Sequence, residues 1–225
     1  SLLSGGLDSS VVTAISRPKS SWVISPSLSP KLSESQFAFE VSNALDIPLN
    51  METFDDAYFL ENLRVLIAFY NDFIYVPNEV YIAHLSKAIA RSGTKVVLCG
   101  EGADELFLGY SRIFQYFSSS SFSLSKFDEL YRYSELSDLR VYNTFFDSNS
   151  SFDDVRAFFF TFHLKGLLKR VDRMTMHHGL EARVPFLHNK LVDYISSCFM
   201  DPKLFFDEPK LILKDYAAAN TLLSP

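Results

Sequence analysis

Apolar positions in the first hundred residues change period several times. Leu7, Val11, Val12 and Ile15 recur at helical spacing behind the turn Ser4-Gly5-Gly6, with Asp8, Ser9 and Ser10 in the opening turn, so a helix is expected there. Ahead of it, Ser1-Leu2-Leu3 reads as the tail of a buried strand whose earlier part is absent. Trp22-Val23-Ile24 predicts a short strand, followed by a Ser/Pro-rich loop through Pro30. Ser33 and Gln36 stand at capping-box spacing ahead of Phe37, Val41, Ala44 and Leu45, which share one helical face. Pro48 closes that unit, and Leu49 to Phe54 predicts an edge strand.

Helical spacing returns over residues 55–70 and 78–92, the second stretch opened by Pro77 and closed by Gly93. Lys95-Val96-Val97-Leu98-Cys99 is a short β-branched run of the kind that forms a buried strand. It enters a second glycine loop, Gly100-Glu101-Gly102, and a further helix. Two strand–glycine-loop–helix units predict an α/β fold with a parallel sheet and crossover helices, in which ligands bind beyond the carboxyl ends of the strands. Beyond residue 110 helical spacing dominates to the end. Ser118 to Ser121 and Asp147 to Ser151 read as surface loops within it. The expected division is therefore an α/β part over 1–110 and a helical part over 111–225.

Composition narrows the classes. The 225 residues are 48% apolar and 21% charged, ordinary globular usage, which excludes a disordered, collagenous or coiled-coil chain. Asp plus Glu exceeds Lys plus Arg by 27 to 21, and a formal charge of −6 argues against a nucleic-acid partner, because neutralising phosphates needs a basic excess. No window resembles a membrane-spanning run or a signal peptide. Two cysteines, Cys99 and Cys198, cannot build a disulfide framework or a four-cysteine zinc site, which fits a soluble, cytoplasmic protein. Phenylalanine is abundant, at 22 residues, and runs such as Phe158-Phe159-Phe160 predict a packed helical core.

The chemistry lies in the two glycine loops. A glycine turn feeding a helix offers unpaired N–H groups and the positive end of the helix dipole to an anion, most often phosphate. In the first loop Ser4 and Ser9 add hydroxyls, and Asp8 is the odd member, since a carboxylate repels phosphate unless a cation such as Mg²⁺ bridges them. Ordinary N-cap chemistry accounts for Asp8 equally well at this point. The second loop contributes Glu101, Asp104 and Glu105; Asp104 suits the same Mg²⁺ or merely decorates a helix start.

Three ordered blocks then carry a resemblance. Ser4 to Ser9 resembles the SGGxDS pyrophosphate loop of the N-type ATP pyrophosphatases, which are adenine nucleotide α-hydrolase-like in fold. Gly100 to Tyr110 resembles the GEGADELFGGY loop of the asparagine synthetases, glutamine-hydrolysing type. Val171-Asp172-Arg173-Met174 through Leu180-Glu181-Ala182-Arg183-Val184-Pro185-Phe186-Leu187 is similar to that branch's DRMSMAHSLEARVPFLD stretch. The resemblance implies an ATP-dependent amide synthetase. A carboxylate, aspartate by default, attacks the α-phosphate of ATP, pyrophosphate leaves, and ammonia displaces AMP to give asparagine. It further implies Asp8 and Asp104 as Mg²⁺ ligands, Ser4, Gly5, Gly6 and Ser9 around pyrophosphate, and Glu101 at adenylation and ammonia attack. Adenosine contacts fall on Leu3, Ile24, Cys99 and Gly100, and Lys210, in a Lys-x-x-Leu helix start, approaches the phosphates. Asp172, Arg173, Glu181 and Arg183 are expected to form buried or half-buried ion pairs that scaffold the site.

Several positions of the chain depart from that pattern. Cys99 stands where Ser is usual, Leu108 where the first Gly of GGY stands, and His188 where Asp follows PFL. These residues include no glutaminase half, so the chain is expected either to be clipped from a longer protein with a glutaminase domain or to take ammonia from solution, a separate subunit or an amine substrate. Alternatives on the same scaffold are an intramolecular amide-former of the β-lactam synthetase or lasso-peptide cyclase type and a non-catalytic nucleotide-binding fragment.

Overall fold

The helix α1 (Leu7–Ser16) follows directly on Ser1-Leu2-Leu3 and its glycine turn, and the strands β1 (Ser21–Pro26) and β2 (Leu49–Phe54) pair in parallel, Ser21 opposite Leu49 and Pro26 opposite Phe54. Parallel partners need a crossover, and α2 (Ser35–Leu45) supplies it. The structure, a computed structural model, describes residues 1–26, 35–132, 139–198 and 208–219; the Ser/Pro-rich loop and Ser33 of the expected capping box lie outside the described residues. Next come α3 (Asp56–Tyr70), whose N-cap Asp55 accepts from the Tyr58 N–H at 2.9 Å, and α4 (Asn78–Arg91). The strand β3 (Val96–Leu98) then pairs in parallel with β4 (Glu181–Arg183).

Residues 1–3 join the two ladders. The Leu3 N–H donates to Trp22 O at 2.9 Å, the Trp22 N–H to Ser1 O at 2.9 Å, and the Leu2 N–H to Leu98 O at 2.8 Å. The spatial order is therefore β2, β1, residues 1–3, β3, β4, all parallel, as the α/β reading expects. Trp22, Leu85, Ile89, Val97 and Leu180 pack as one buried cluster, and Leu66, Val80, Ala83 and Met174 as another. Val11, Val12 and Ala14 bury the inner face of α1.

Two compact units emerge from the contacts. One comprises Ser1–Glu101, Leu168–Pro185 and the chain from Tyr216 on; the other comprises Gly102–Leu167 and Phe186–Asp215. The stretch after residue 110 is mostly helical, but not wholly: β4 lies inside it and belongs to the first unit's sheet. Three residues reading Glu-Ala-Arg are too few to register as a strand period, although their burial alternates.

In the second unit, α5 (Ala103–Leu106), α6 (Ser111–Ser119), α7 (Leu124–Tyr131) and α8 (Phe152–Phe158) gather an aromatic core. The fully buried Phe127 ring lies 4.7 Å from Phe146, 5.1 Å from Phe158 and 5.3 Å from Tyr131, centroid to centroid. Phe158 and Phe159 are buried, as the phenylalanine run predicts. The serine stretch 118–121 is exposed, and in Asp147–Ser151 the last serine caps α8 through a capping box with Asp154. The helix α9 (Leu164–Met176) follows a π turn at Phe159–His163, and α10 (Asn189–Cys198) closes the aromatic unit's helices before the last described one, Leu211–Ala219. Among the described residues no helix is long and apolar enough to cross a membrane.

Leu108 is unusual. Its φ is +55°, a left-handed conformation that disfavours side chains, yet its side chain is only 2% exposed. The strain of that conformation is about 1–2 kcal/mol, whereas deleting a buried leucine side chain costs about 3–5 kcal/mol. Burial therefore wins. We predict that Leu108→Gly lowers stability by about 2 kcal/mol in urea unfolding at unchanged m-value; a stabilised variant would show that backbone strain dominates there.

Candidate functional site

The two loops singled out in the sequence start at the carboxyl ends of neighbouring parallel segments, residues 1–3 and β3. Gly5 has φ +85°, and a Cβ there would fall 2.5 Å from Ala38 N and from Phe37 Cβ, so only glycine lets the turn pass beneath the start of α2. Two hydroxyls tie the turn: the Ser4 N–H donates to Ser9 Oγ at 3.2 Å, the two hydroxyls lie 3.1 Å apart, and Ser9 Oγ donates to Gly6 O at 3.1 Å. Gly6 caps α1 without a side-chain hydrogen bond, so no cap side chain competes for the first-turn N–H groups.

Gly100 sits directly against this turn. A Cβ on it would stand 3.0 Å from both Asp8 Cβ and Ser9 N. Gly100 is thus in contact with Asp8 and Ser9, 92 and 91 residues earlier in the sequence. Leu3 and Cys99 are buried at the two strand ends, and Ile24 is half-buried on β1 opposite Glu52. Burial pushes the Cys99 thiol up to about 11, so it stays protonated, and it donates to Arg183 O at 3.6 Å. Glu101, half-buried, pairs with Arg170 Nη2 at 3.0 Å.

Asp104 and Lys210 are brought together in the second unit. Lys210 Nζ lies 2.7 Å from Asp104 Oδ1, with the lysine side chain 16% and the aspartate 39% exposed. Gly109 makes the room for this pair, since a Cβ there would overlap Asp104 Oδ1 and approach Lys210 Cε to 2.4 Å. The Gly109 N–H also donates to Asp104 O at 2.8 Å. Next to it, buried Glu105 accepts from the Tyr110 hydroxyl at 2.7 Å, and that hydroxyl lies 3.2 Å from His163 Nε2. The Leu108 side chain is buried.

The expected scaffold pairs divide. Arg173 bonds Asp72 at 3.2 Å and stacks 3.9 Å above the Tyr70 ring, whose hydroxyl donates to Arg173 O at 2.6 Å. Arg183 and Glu181 pair at 2.9 Å, but both are about 60% exposed rather than buried, because they stand two apart on the surface of β4. Arg170 and Gly109 are absent from the sequence expectation. Gly109 had a signal, the second glycine before Tyr110. Arg170 had none, because its partner is 69 residues away.

Among the described residues no three His, Cys, Asp or Glu side chains cluster as a self-sufficient metal site. Two hard carboxylates with phosphate oxygens are the usual Mg²⁺ set, and Asp8 and Asp104 are of that chemistry. Asp104 already holds a cation in the form of the lysine ammonium.

Two relatives are similar in sequence. A protein assigned in Methanocaldococcus jannaschii as asparagine synthetase (glutamine-hydrolysing) 1 is 31% identical over 150 residues, 67% of this chain and 22% of that protein. Asparagine synthetase (glutamine-hydrolysing) 1 of Bacillus subtilis is 26% identical over 256 aligned positions, 87% of this chain and 40% of that protein. The chain thus spans less than half the length of either relative. The asparagine synthase family model matches residues 1–222, nearly the whole sequence, and the chain belongs to the asparagine synthase family.

Proposed function

We propose that this chain is the synthetase part of an AMP-forming carbon–nitrogen ligase built on the N-type ATP pyrophosphatase fold. A substrate carboxylate, aspartate by default, attacks the α-phosphate of ATP; the bond to pyrophosphate breaks, and ammonia then displaces AMP from the acyl adenylate to give the amide, asparagine. The observation that carries this reading is the contact of Gly100 with Asp8 and Ser9, which sets the hydroxyl-tied, N–H-bearing turn beside the loop of Glu101. A leaving pyrophosphate gains negative charge as its bond breaks, and donors held in place before the reaction stabilise that charge without reorganising.

Ser4, Gly5, Gly6 and Ser9 bind and orient the departing phosphates in this reading, while Leu3, Ile24, Cys99 and Gly100 line the adenosine. The buried protonated thiol of Cys99 suits that role, because it adds no charge beside the base. Asp8 and Asp104 would hold Mg²⁺, which when bound neutralises charge along the phosphate chain. Lys210, paired with Asp104, supplies a second positive charge for the phosphates. Glu101 acts at adenylation and on the attacking ammonia. The names of the relatives support a glutaminase domain or subunit as the ammonia source. Two free thiols support a reducing, cytoplasmic setting.

Carboxylate-dependent ATP–pyrophosphate exchange tests the reading, and a panel of carboxylates identifies the substrate: stimulation by aspartate alone is expected. We predict that Asp8→Ala reduces exchange at least about 100-fold while circular dichroism shows the fold intact; unchanged exchange would remove Asp8 from the site. Gly109→Ala is expected to force Asp104 and Lys210 apart and to raise the KM for MgATP about tenfold, equivalent to ~1.4 kcal/mol. An unaltered KM would mean that the pair does not serve the nucleotide.

A further inference from the structure

Arg170 and Glu101 form a half-buried ion pair at 3.0 Å, with the arginine side chain 16% and the glutamate 23% exposed. The arginine is borne on the part of α9 from Leu168 on, which belongs to the first unit. Val171 and Met174 are buried, and buried Thr175 donates to Val171 O at 3.0 Å. One turn beyond Arg170, Arg173 is anchored by Asp72 and by the face of Tyr70, and its carbonyl accepts from the Tyr70 hydroxyl. A guanidinium on so firmly held a helix reaches a narrow region, and Glu101 lies in it.

The position is also costly. Arg170 Nε is buried without an acceptor among the described residues, and an unsatisfied buried donor costs about 1–3 kcal/mol. An apolar side chain would fill this place in α9 without that penalty, so packing does not account for an arginine here. What an apolar residue cannot do is hold a carboxylate in one geometry, and a guanidinium does this better than an ammonium.

We propose that Arg170 is a positioning residue for the reaction, holding the Glu101 carboxylate at the carboxyl end of β3 in the orientation that adenylation requires. The proposal rests on the adenylation role of Glu101 argued above. Misplacing a reacting group by about 1 Å costs up to about 100-fold in rate, whereas nucleotide binding to the Ser4–Ser9 turn does not involve Arg170.

Steady-state exchange kinetics on the full chain test it, with Arg170→Met, Arg170→Lys, Glu101→Gln and the double variant Arg170→Met/Glu101→Gln compared. The expected results are a kcat lowered 10–100-fold in Arg170→Met at unchanged KM for MgATP, partial recovery in Arg170→Lys, and a double variant no slower than Glu101→Gln alone. Thermal unfolding of each variant identifies any loss of fold, and in that event Arg170→Lys decides by whether exchange tracks the retained charge. A normal kcat in Arg170→Met with a defective Glu101→Gln, or losses that multiply in the double variant, would overturn the positioning role while leaving Glu101 in the site. Normal exchange in Glu101→Gln would instead overturn the role of Glu101, and the Arg170 proposal with it.

Discussion

One backbone contact governs the candidate site: the pairing of residues 1–3 between β1 and β3, made by Leu2 on Leu98 and by Leu3 on Trp22. Parallel neighbours deliver their carboxyl ends to the same edge, so the turns that follow residue 3 and residue 99 emerge side by side. Register then matters more than strand length. A slip of one residue would send Leu3 from the core to the opposite face and would carry Asp8 away from Gly100. The fully buried Leu3 and Val97 specify against it, because each would lose about 1.5–3 kcal/mol of burial.

The ion pairs tied to this sheet differ greatly in weight. Glu181 and Arg183 are exposed on β4, and an exposed pair contributes about 0–1 kcal/mol. Arg173 is different, since its guanidinium lies over Tyr70 and meets Asp72 in a half-buried setting, where cation–π attraction alone adds about 0.5–2 kcal/mol. The anchor of α9 is therefore Arg173 rather than the more conspicuous charges of Glu-Ala-Arg. The same helix carries Arg170 to Glu101, which links the packing of α9 to the chemistry of the second loop.

Much of this was legible in the sequence. Changes of apolar period, with Gly and Pro as punctuation, locate α1, β1, β2, α3, α4 and β3 to within a few residues, because each of these elements buries one face and ends at a residue with restricted or unusual backbone freedom. The glycine loops were legible for the same local reason. What escaped was non-local. The strand β4 is three residues long with two exposed charges, and it exists because β3 offers a free edge 85 residues earlier. Arg170 looks like any helical arginine until α9 is laid against Glu101. The burial of the Leu108 side chain is not readable from residue type either, because it goes with a left-handed backbone conformation.

Backbone conformation bears on the Asp104 region as well. Five described non-glycine residues have positive φ: Arg17, Asp46, Asn71, Leu108 and Lys210. Arg17 and Asn71 cap the carboxyl ends of α1 and α3, and Asp46 follows the last residue of α2, where left-handed residues are routine. Leu108 likewise directly follows the C-cap Phe107 of α5, where the Gly109 N–H closes the helix end on Asp104 O at 2.8 Å, so Lys210 alone among the five does not follow the end of a described helix. Lys210 is itself a member of the ion pair that lies across Gly109. Strain of about 1–3 kcal/mol at each such residue persists only where the surroundings over-determine the conformation. The left-handed Lys210 fits a backbone that is over-determined where its side chain pairs with Asp104.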